Sequence, residues 1–109
     1  MKIDFIELAA PDLEAAKKFY GAAFGWTFKD YGGHYADFEG AGISGGFNPQ
    51  RKPSRDGSLV ILYADDLAAA ERAVVAAGGE IGAHHEFPGG KRFHFVDPLG
   101  NELAVWTKA

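Results

Sequence analysis

The side chains that could do chemistry in this chain are carboxylates and imidazoles. The sequence has four histidines and no cysteine, which excludes thiolate nucleophiles and cysteine-ligated zinc or iron–sulfur sites. His84 and His85 are adjacent on a predicted strand and point to opposite faces, so chelation of one ion by both is disfavoured. His94 stands between Phe93 and Phe95, and alternation alone leaves open whether the imidazole or the two rings face a cleft.

Two similar halves of the chain must position these side chains. In the first half, Asp12 caps a predicted helix that ends at Gly25, and a strand precedes the helix while three strands follow it. The pattern restarts in the second half, where Asp66 and Gly79 occupy the same places at an offset of 54 residues. Each half therefore has the order β-α-β-β-β, which indicates an internal repeat.

The repeat predicts an α+β fold in a single domain, residues 1–109. Module 1 covers about residues 2–48 and module 2 about residues 58–107, with residues 49–57 as a linker rich in proline and basic residues. Paired side by side, the two modules are expected to form one curved mixed sheet with a concave cleft, and the helices cover the outer face.

Composition narrows the class of partner. The 109 residues carry a net charge of −4 and no basic stripe, which disfavours nucleic acid as a partner. No apolar run approaches the length of a membrane span, so no membrane partner is expected. The first residues lack the apolar core of a signal peptide, and we expect a cytoplasmic location.

Two separated motifs resemble a known family. Residues 5–8, 11–20 and 24–26 resemble the opening of the vicinal oxygen chelate superfamily, and residues 95–103 resemble its closing signature. That superfamily includes glyoxalases, bleomycin-resistance proteins and extradiol dioxygenases. The resemblance, to the glyoxalase-like branch, implies a homodimer and a small-molecule ligand, and for the enzymes of the family it implies a divalent metal in the cleft.

The resemblance also says where such a metal would be held. The family's ligands lie seven residues before each helix-capping aspartate, which gives Phe5 and Leu59, and on the last strand of each module. Four residues after Gly100 this last-strand position is Ala104, and an offset of 57 maps it onto Phe47. None of these side chains can coordinate a divalent cation. We therefore expect no metal at these positions and no cofactor.

Alternation along the strands gives the expected lining of the cleft. If Phe5 faces the concave side, Glu7 shares that face, and the last strand contributes Glu102. The predicted ligand-binding residues are Phe5, Phe47, Leu59, Ile61, Tyr63, Phe93, Ala104 and Trp106. These aromatic and apolar side chains either line an open cavity for a flat or apolar molecule or fill the cleft as a collapsed core.

The leading functional hypothesis is a protein that lacks the usual metal ligands and binds a small, largely apolar or aromatic molecule. One alternative is a lyase, isomerase or dioxygenase, either with acid–base chemistry at Glu7 or Glu102 or with a relocated metal site formed by those acids and one histidine. Both acids could equally be solvated or salt-bridged. A second alternative is a structural dimer whose cleft is closed by its own side chains.

Overall fold

The computed structural model describes all 109 residues and contains two helices and eight strands. Module 1 comprises β1 (Phe5–Ala9), α1 (Leu13–Phe24), β2 (Thr27–Tyr31), β3 (Tyr35–Glu39) and β4 (Ser44–Asn48). Module 2 comprises β5 (Val60–Tyr63), α2 (Leu67–Ala76), β6 (Glu80–Phe87), β7 (Gly90–Val96) and β8 (Glu102–Lys108). The predicted α+β class and the two βαβββ modules are confirmed.

Both helices begin where the sequence signals placed them. The Asp12 carboxylate accepts a hydrogen bond from the backbone N–H of Ala15 at 3.1 Å, and Asp66 accepts one from Ala69 at 3.0 Å. Helix α1 ends at Gly25, whose φ of 74° lies in the left-handed region that glycine adopts without strain. No helix is long and apolar enough to cross a membrane.

The strands form two four-stranded mixed sheets, ordered β1-β4-β3-β2 and β5-β8-β7-β6. In each sheet the first strand of the module runs parallel to the last, and the other neighbours are antiparallel. The curved sheet therefore consists of two hydrogen-bonded halves. Because β1 and β5 each have only one neighbour, each half presents the first strand of its module as an edge.

The helices cover one face of each sheet, and the opposite face is called here the open face. Phe47, Phe93 and Phe95 have no exposed surface and belong to the core beneath the helices. The prediction that Phe47 and Phe93 line the cleft is therefore wrong, because their strands turn these rings toward the helices. The other predicted lining residues lie on or beside the open faces: Phe5, Leu59, Ile61, Tyr63, Ala104 and Trp106.

Helix α1 joins the two sheets through its aromatic side chains. The Tyr20 ring lies 5.3 Å from the ring of Phe47 in the first sheet, and the Phe19 ring lies 5.9 Å from that of Phe95 in the second. Both α1 residues are fully buried. The two modules consequently share one hydrophobic core and do not fold around separate ones.

A buried polar cluster at Asp97 ties the modules together. One carboxylate oxygen accepts the backbone N–H groups of Leu99, Gly100 and Asn101, each at 2.9 Å, and the other accepts the Tyr20 hydroxyl at 2.7 Å. The Asn101 side chain donates to the carbonyl of Ala9 at 2.6 Å. Burial, and next the charge of Asp97, raises the pKa of Tyr20 well above its ordinary value. The closing turn thus has a structural role.

Candidate functional site

The positions that would hold the family's metal do not supply ligands. Strand pairing sets Glu7 opposite Gly46 and its repeat counterpart Ile61 opposite Ala104, so Gly46 is the counterpart of Ala104. The assignment of Phe47 to this position is wrong by one residue. Because Phe5, Leu59, Gly46 and Ala104 carry no oxygen or nitrogen on their side chains, the site does not fit a divalent cation.

A relocated metal site also lacks its ligand set. Glu7 and Glu102 both line an open groove beside the linker, together with Arg51 and Lys52. No group of three or more His, Asp or Glu side chains lies close enough to hold a metal ion. The two acids instead have separate polar partners, one in each sheet.

The open face of the first sheet is a network of paired polar groups. Asn48 donates a hydrogen bond to the Glu7 carboxylate at 3.1 Å, and the Tyr31 hydroxyl donates to Asp37 at 3.0 Å. The Tyr35 ring lies directly over Gly46, where a Cβ would come within 2.5 Å of the tyrosine hydroxyl. Removal from water, and then the neighbouring Glu7 carboxylate, raises the pKa of Tyr35 to about 12.

The open face of the second sheet carries a histidine–carboxylate pair. His94 Nδ1 lies 2.9 Å from Glu102 Oε2, and the His94 side chain is only 13% exposed. Because an ionised carboxylate only accepts, this contact places the proton on Nδ1 and leaves Nε2 as the free ring nitrogen. The structure thus answers what alternation left open, since the imidazole faces away from the helices while Phe93 and Phe95 face the core.

Aromatic side chains surround this pair on the same face. Trp106 packs edge-to-face on Tyr63, with ring centroids 5.0 Å apart, and Phe87 lies 6.3 Å from it on the other side. Tyr63 is 45% exposed and Ile61 42% exposed, although both are large and apolar in body. The open face of the second sheet therefore presents large apolar side chains to solvent beside the charged pair.

An open apolar cavity of about 380 Å³ lies between the two modules, where β1 and β5 are edge strands. Its lining is hydrophobic apart from Gly40. Ile61 and Tyr63 border it from the second module. The first module contributes six large side chains: Ile6, Leu8, Phe24, Trp26, Phe38 and Ile43. The volume falls within the range of small-molecule sites.

Of the predicted ligand-binding residues, the cavity contains Ile61 and Tyr63, while Trp106 and Ala104 remain on the adjoining open face. Strand alternation puts Ile6 and Leu8 on the side of β1 opposite Phe5 and Glu7, which is the side that packs under the helices. The sequence does not show that they also line a cavity, because the cavity depends on the distance between β1 and β5 and no local pattern records that distance.

Of the two adjacent histidines, His84 faces the helices and makes an ordinary surface contact. His84 Nε2 lies 2.8 Å from a Glu71 carboxylate oxygen, and both side chains are well exposed. His85 points to the open face, where its ring meets that of His94 edge-on with centroids 5.3 Å apart. The prediction that these neighbours point to opposite faces is confirmed.

Solved structures of similar fold come from several bacteria. A glyoxalase-related enzyme from Fulvimarina pelagi is 20% identical with a TM-score of 0.83, over 99% of this chain and 88% of that one. A glyoxalase/bleomycin resistance protein from Albidiferax ferrireducens T118 is 19% identical with a TM-score of 0.78, over 98% of both chains. Lactoylglutathione lyase from Agrobacterium tumefaciens is 23% identical with a TM-score of 0.75, over 97% and 92%.

The sequence comparisons agree with the fold. No curated protein matches the sequence. A family model described as Glyoxalase/Bleomycin resistance protein/Dioxygenase superfamily matches residues 2–105, which is almost the whole chain. The resemblance inferred from the two motifs is thereby confirmed, and the chain belongs to the glyoxalase/bleomycin resistance protein/dioxygenase superfamily.

Proposed function

We propose that this protein binds a small, largely apolar or aromatic molecule in the cavity between β1 and β5. The observation that carries the proposal is the cavity itself, about 380 Å³ in volume and lined by apolar side chains. Ligand pockets commonly have this size and this lining. Trp26 and Phe38 supply aromatic side chains to the lining, and Ile61 and Tyr63 border the opening from the second module.

The chemistry of the cavity selects the ligand class. With no charged side chain in the lining, an ionic group placed there would lose its hydration without gaining a partner. A neutral ring or a short aliphatic chain loses nothing polar on entry and gains dispersion contacts with the walls. We therefore expect neutral hydrophobic molecules to bind in preference to charged ones.

We also propose a homodimer. Strands β1 and β5 each present a free edge, and their exposed apolar side chains include Phe5, Ile61 and Tyr63. Free edges with apolar side chains are surfaces that proteins ordinarily cover. Sedimentation equilibrium should give twice the chain mass of 11.7 kDa, and a mass equal to one chain at all concentrations would contradict this.

The ligand proposal is tested with N-phenylnaphthylamine, a neutral probe that fluoresces in apolar surroundings. Ala41 lines the cavity, so Ala41→Phe should fill it and weaken probe binding about tenfold or more. Ala76→Phe makes the same change on the exposed end of α2 and serves as the matched control. Failure of the probe to bind, or equal effects of the two variants, would favour a structural dimer with a closed cavity.

A metal-free enzyme is the second candidate, because His94 and Glu102 form a pair suited to proton transfer. In such a step the His94 Nε2 lone pair takes a proton from the substrate, and the Glu102 carboxylate stabilises the imidazolium that forms. Lactoylglutathione, named for the similar lyase of Agrobacterium tumefaciens, is a suitable first substrate. Turnover that persists in chelator and is lost in His94→Gln supports this function, and turnover lost in chelator points to a metal instead.

A further inference from the structure

Two side-chain nitrogens on the open face of the second sheet are buried without a hydrogen-bond partner: Arg92 Nε and His94 Nε2. They are the only such atoms in the chain. Residues 92 and 94 are two apart on β7 and so lie on one face, opposite Trp106 and Ala104 of β8. A buried polar nitrogen without a hydrogen-bond partner is unfavourable, and two on one small surface indicate a missing polar partner.

The charge of Arg92 indicates what that partner is. Its guanidinium is always protonated, and none of the ion pairs in the structure involves it. The side chain is half-buried, so water compensates the charge only in part. The planar fork of an arginine matches the two oxygens of a carboxylate in a bidentate contact.

His94 can complete the same site. Glu102 fixes the ring by accepting from Nδ1, so Nε2 is the nitrogen left for a ligand. With a proton on both nitrogens, the ring would donate to Glu102 and to a bound anion at the same time. The titratable groups around the ring are Glu102 on β8, with Arg55 3.8 Å beyond it, His85 on β6, and Arg92 on β7 itself.

The neighbours of this charged pair are aromatic. Trp106 stands directly opposite Arg92 in the strand register, and Tyr63 pairs with Trp106 on the next strand. Phe87 closes the row at a ring distance of 6.3 Å from Trp106. An anion bound at Arg92 would therefore carry its organic part across the Trp106 ring.

We propose that Arg92 and His94 bind the carboxylate of a small aromatic acid whose ring packs against Trp106. Entry requires the exposed His85 ring, which lies edge-on to His94, to turn aside. This site is distinct from the apolar cavity, because it lies on the open face and recognises charge. It goes beyond the proposed function and does not depend on it.

Calorimetric titration with benzoate and with benzamide tests the site, since the two probes share a ring and differ in charge. Benzoate should bind about tenfold more tightly than benzamide or better. Arg92→Gln should remove that preference, and Arg92→Lys, which keeps the charge and loses the fork, should retain part of it. Arg72→Gln removes an exposed arginine on α2 and is the matched control.

The outcomes separate this site from the cavity. Loss of benzoate binding in Arg92→Gln with N-phenylnaphthylamine binding unchanged supports the carboxylate site and also shows that the variant is folded. Equal affinities for benzoate and benzamide would overturn it, as would equal effects of Arg92→Gln and Arg72→Gln. Trp106→Leu should weaken benzoate without affecting acetate, and an equal loss for both would remove the ring from the proposal.

Discussion

The open faces of the two sheets come from the same repeated module and differ in how their polar groups are paired. In the first sheet Glu7 and Asp37 have partners, and the Tyr35 ring covers Gly46. In the second sheet Arg92 Nε and His94 Nε2 have none. One face has paired its hydrogen-bonding groups internally, whereas the other leaves these two nitrogens without a partner within the chain.

The difference begins on the last strand of each module. Strand β4 has Gly45 and Gly46 where β8 has Leu103 and Ala104. Without side chains there, Phe38 fills the core side of the first sheet and Tyr35 the open side. The second sheet fills its core with Leu103 itself, and on its open face Ala104 lies opposite His94, whose Nε2 has no partner. The same module thus gives one face with paired polar groups and one with two unpaired nitrogens.

Gly45→Ala should disturb the first sheet more than any other single substitution that we propose. A Cβ at residue 45 would lie 2.5 Å from the Ile6 carbonyl oxygen and collide with the buried Phe38 ring, so β1 must move. We expect a loss of about 3 kcal/mol in the free energy of unfolding, measured in urea. The control is Gly82→Ala in β6, where the nearest atom is 3.6 Å away, and it should change stability by less than about 0.5 kcal/mol.

Gly46→Ala should have a smaller effect, because the group in its way is the far end of the Tyr35 side chain. The ring can swing outward at a cost of about 1–2 kcal/mol in unfolding free energy. In the double variant with Tyr35→Ala the obstruction is gone, so the two costs should not add. Strict additivity in the four-member cycle would show that the tyrosine does not occupy the space above residue 46.

Substitution of Glu102 should cost more stability than substitution of Glu7, because the Glu102 contact is half-buried and the Glu7 side chain is exposed. Glu102→Gln weakens a half-buried contact with His94, and we expect a loss of about 1 kcal/mol in urea unfolding at neutral pH. Glu7→Gln keeps an oxygen that accepts from Asn48 on an exposed side chain, so its cost should be below about 0.5 kcal/mol. Equal losses for the two variants would mean that the His94–Glu102 contact stabilises the fold no more than the Asn48–Glu7 contact does.

The sequence was sufficient for the modules because their signals are local. Asp12 and Asp66 cap helices through hydrogen bonds three residues along the chain, and Gly25 ends one through its own φ. The register of the last strands was not predictable in this way. Four residues join β3 to β4 and five join β7 to β8, so the repeat offset grows to 58 there. A slip of one residue exchanges the faces of a strand, which is why Phe47 was assigned to the wrong side.

The candidate site could also be predicted only in part from the sequence, because its contacts depend on the register between strands. Glu102 was identified as a cleft acid from strand alternation, but its pairing with His94 depends on the register of β7 against β8. In the sequence, Lys91 and Arg92 form the basic end of a hairpin, which is compatible with an anionic ligand but is more typical of a solvated turn. The significance of Arg92 lies in being half-buried without an acceptor, and both properties arise only once β6 and β8 stand on either side of it.

Tyr35→Phe should have the smallest effect on stability at neutral pH. It tests whether Tyr35 is shielded from water on the open face of the first sheet. The fold raises the pKa of Tyr35 from its ordinary value of 10 to about 12, first through burial and then through the Glu7 carboxylate. A raised pKa means that the fold favours the neutral phenol, so this stabilisation is complete below pH 10 and is lost as the pH rises toward 12.

Wild type and Tyr35→Phe should therefore unfold almost alike in urea near neutral pH. Above pH 10 the wild type should lose stability more steeply than the variant. Glu7→Gln removes the neighbouring negative charge, so it should narrow this pH interval while leaving the burial contribution in place. Parallel stability curves for wild type and Tyr35→Phe across the alkaline range would mean that the phenol ionises as freely in the folded chain as in the unfolded one. Tyr35 would then not be shielded on the open face of the first sheet.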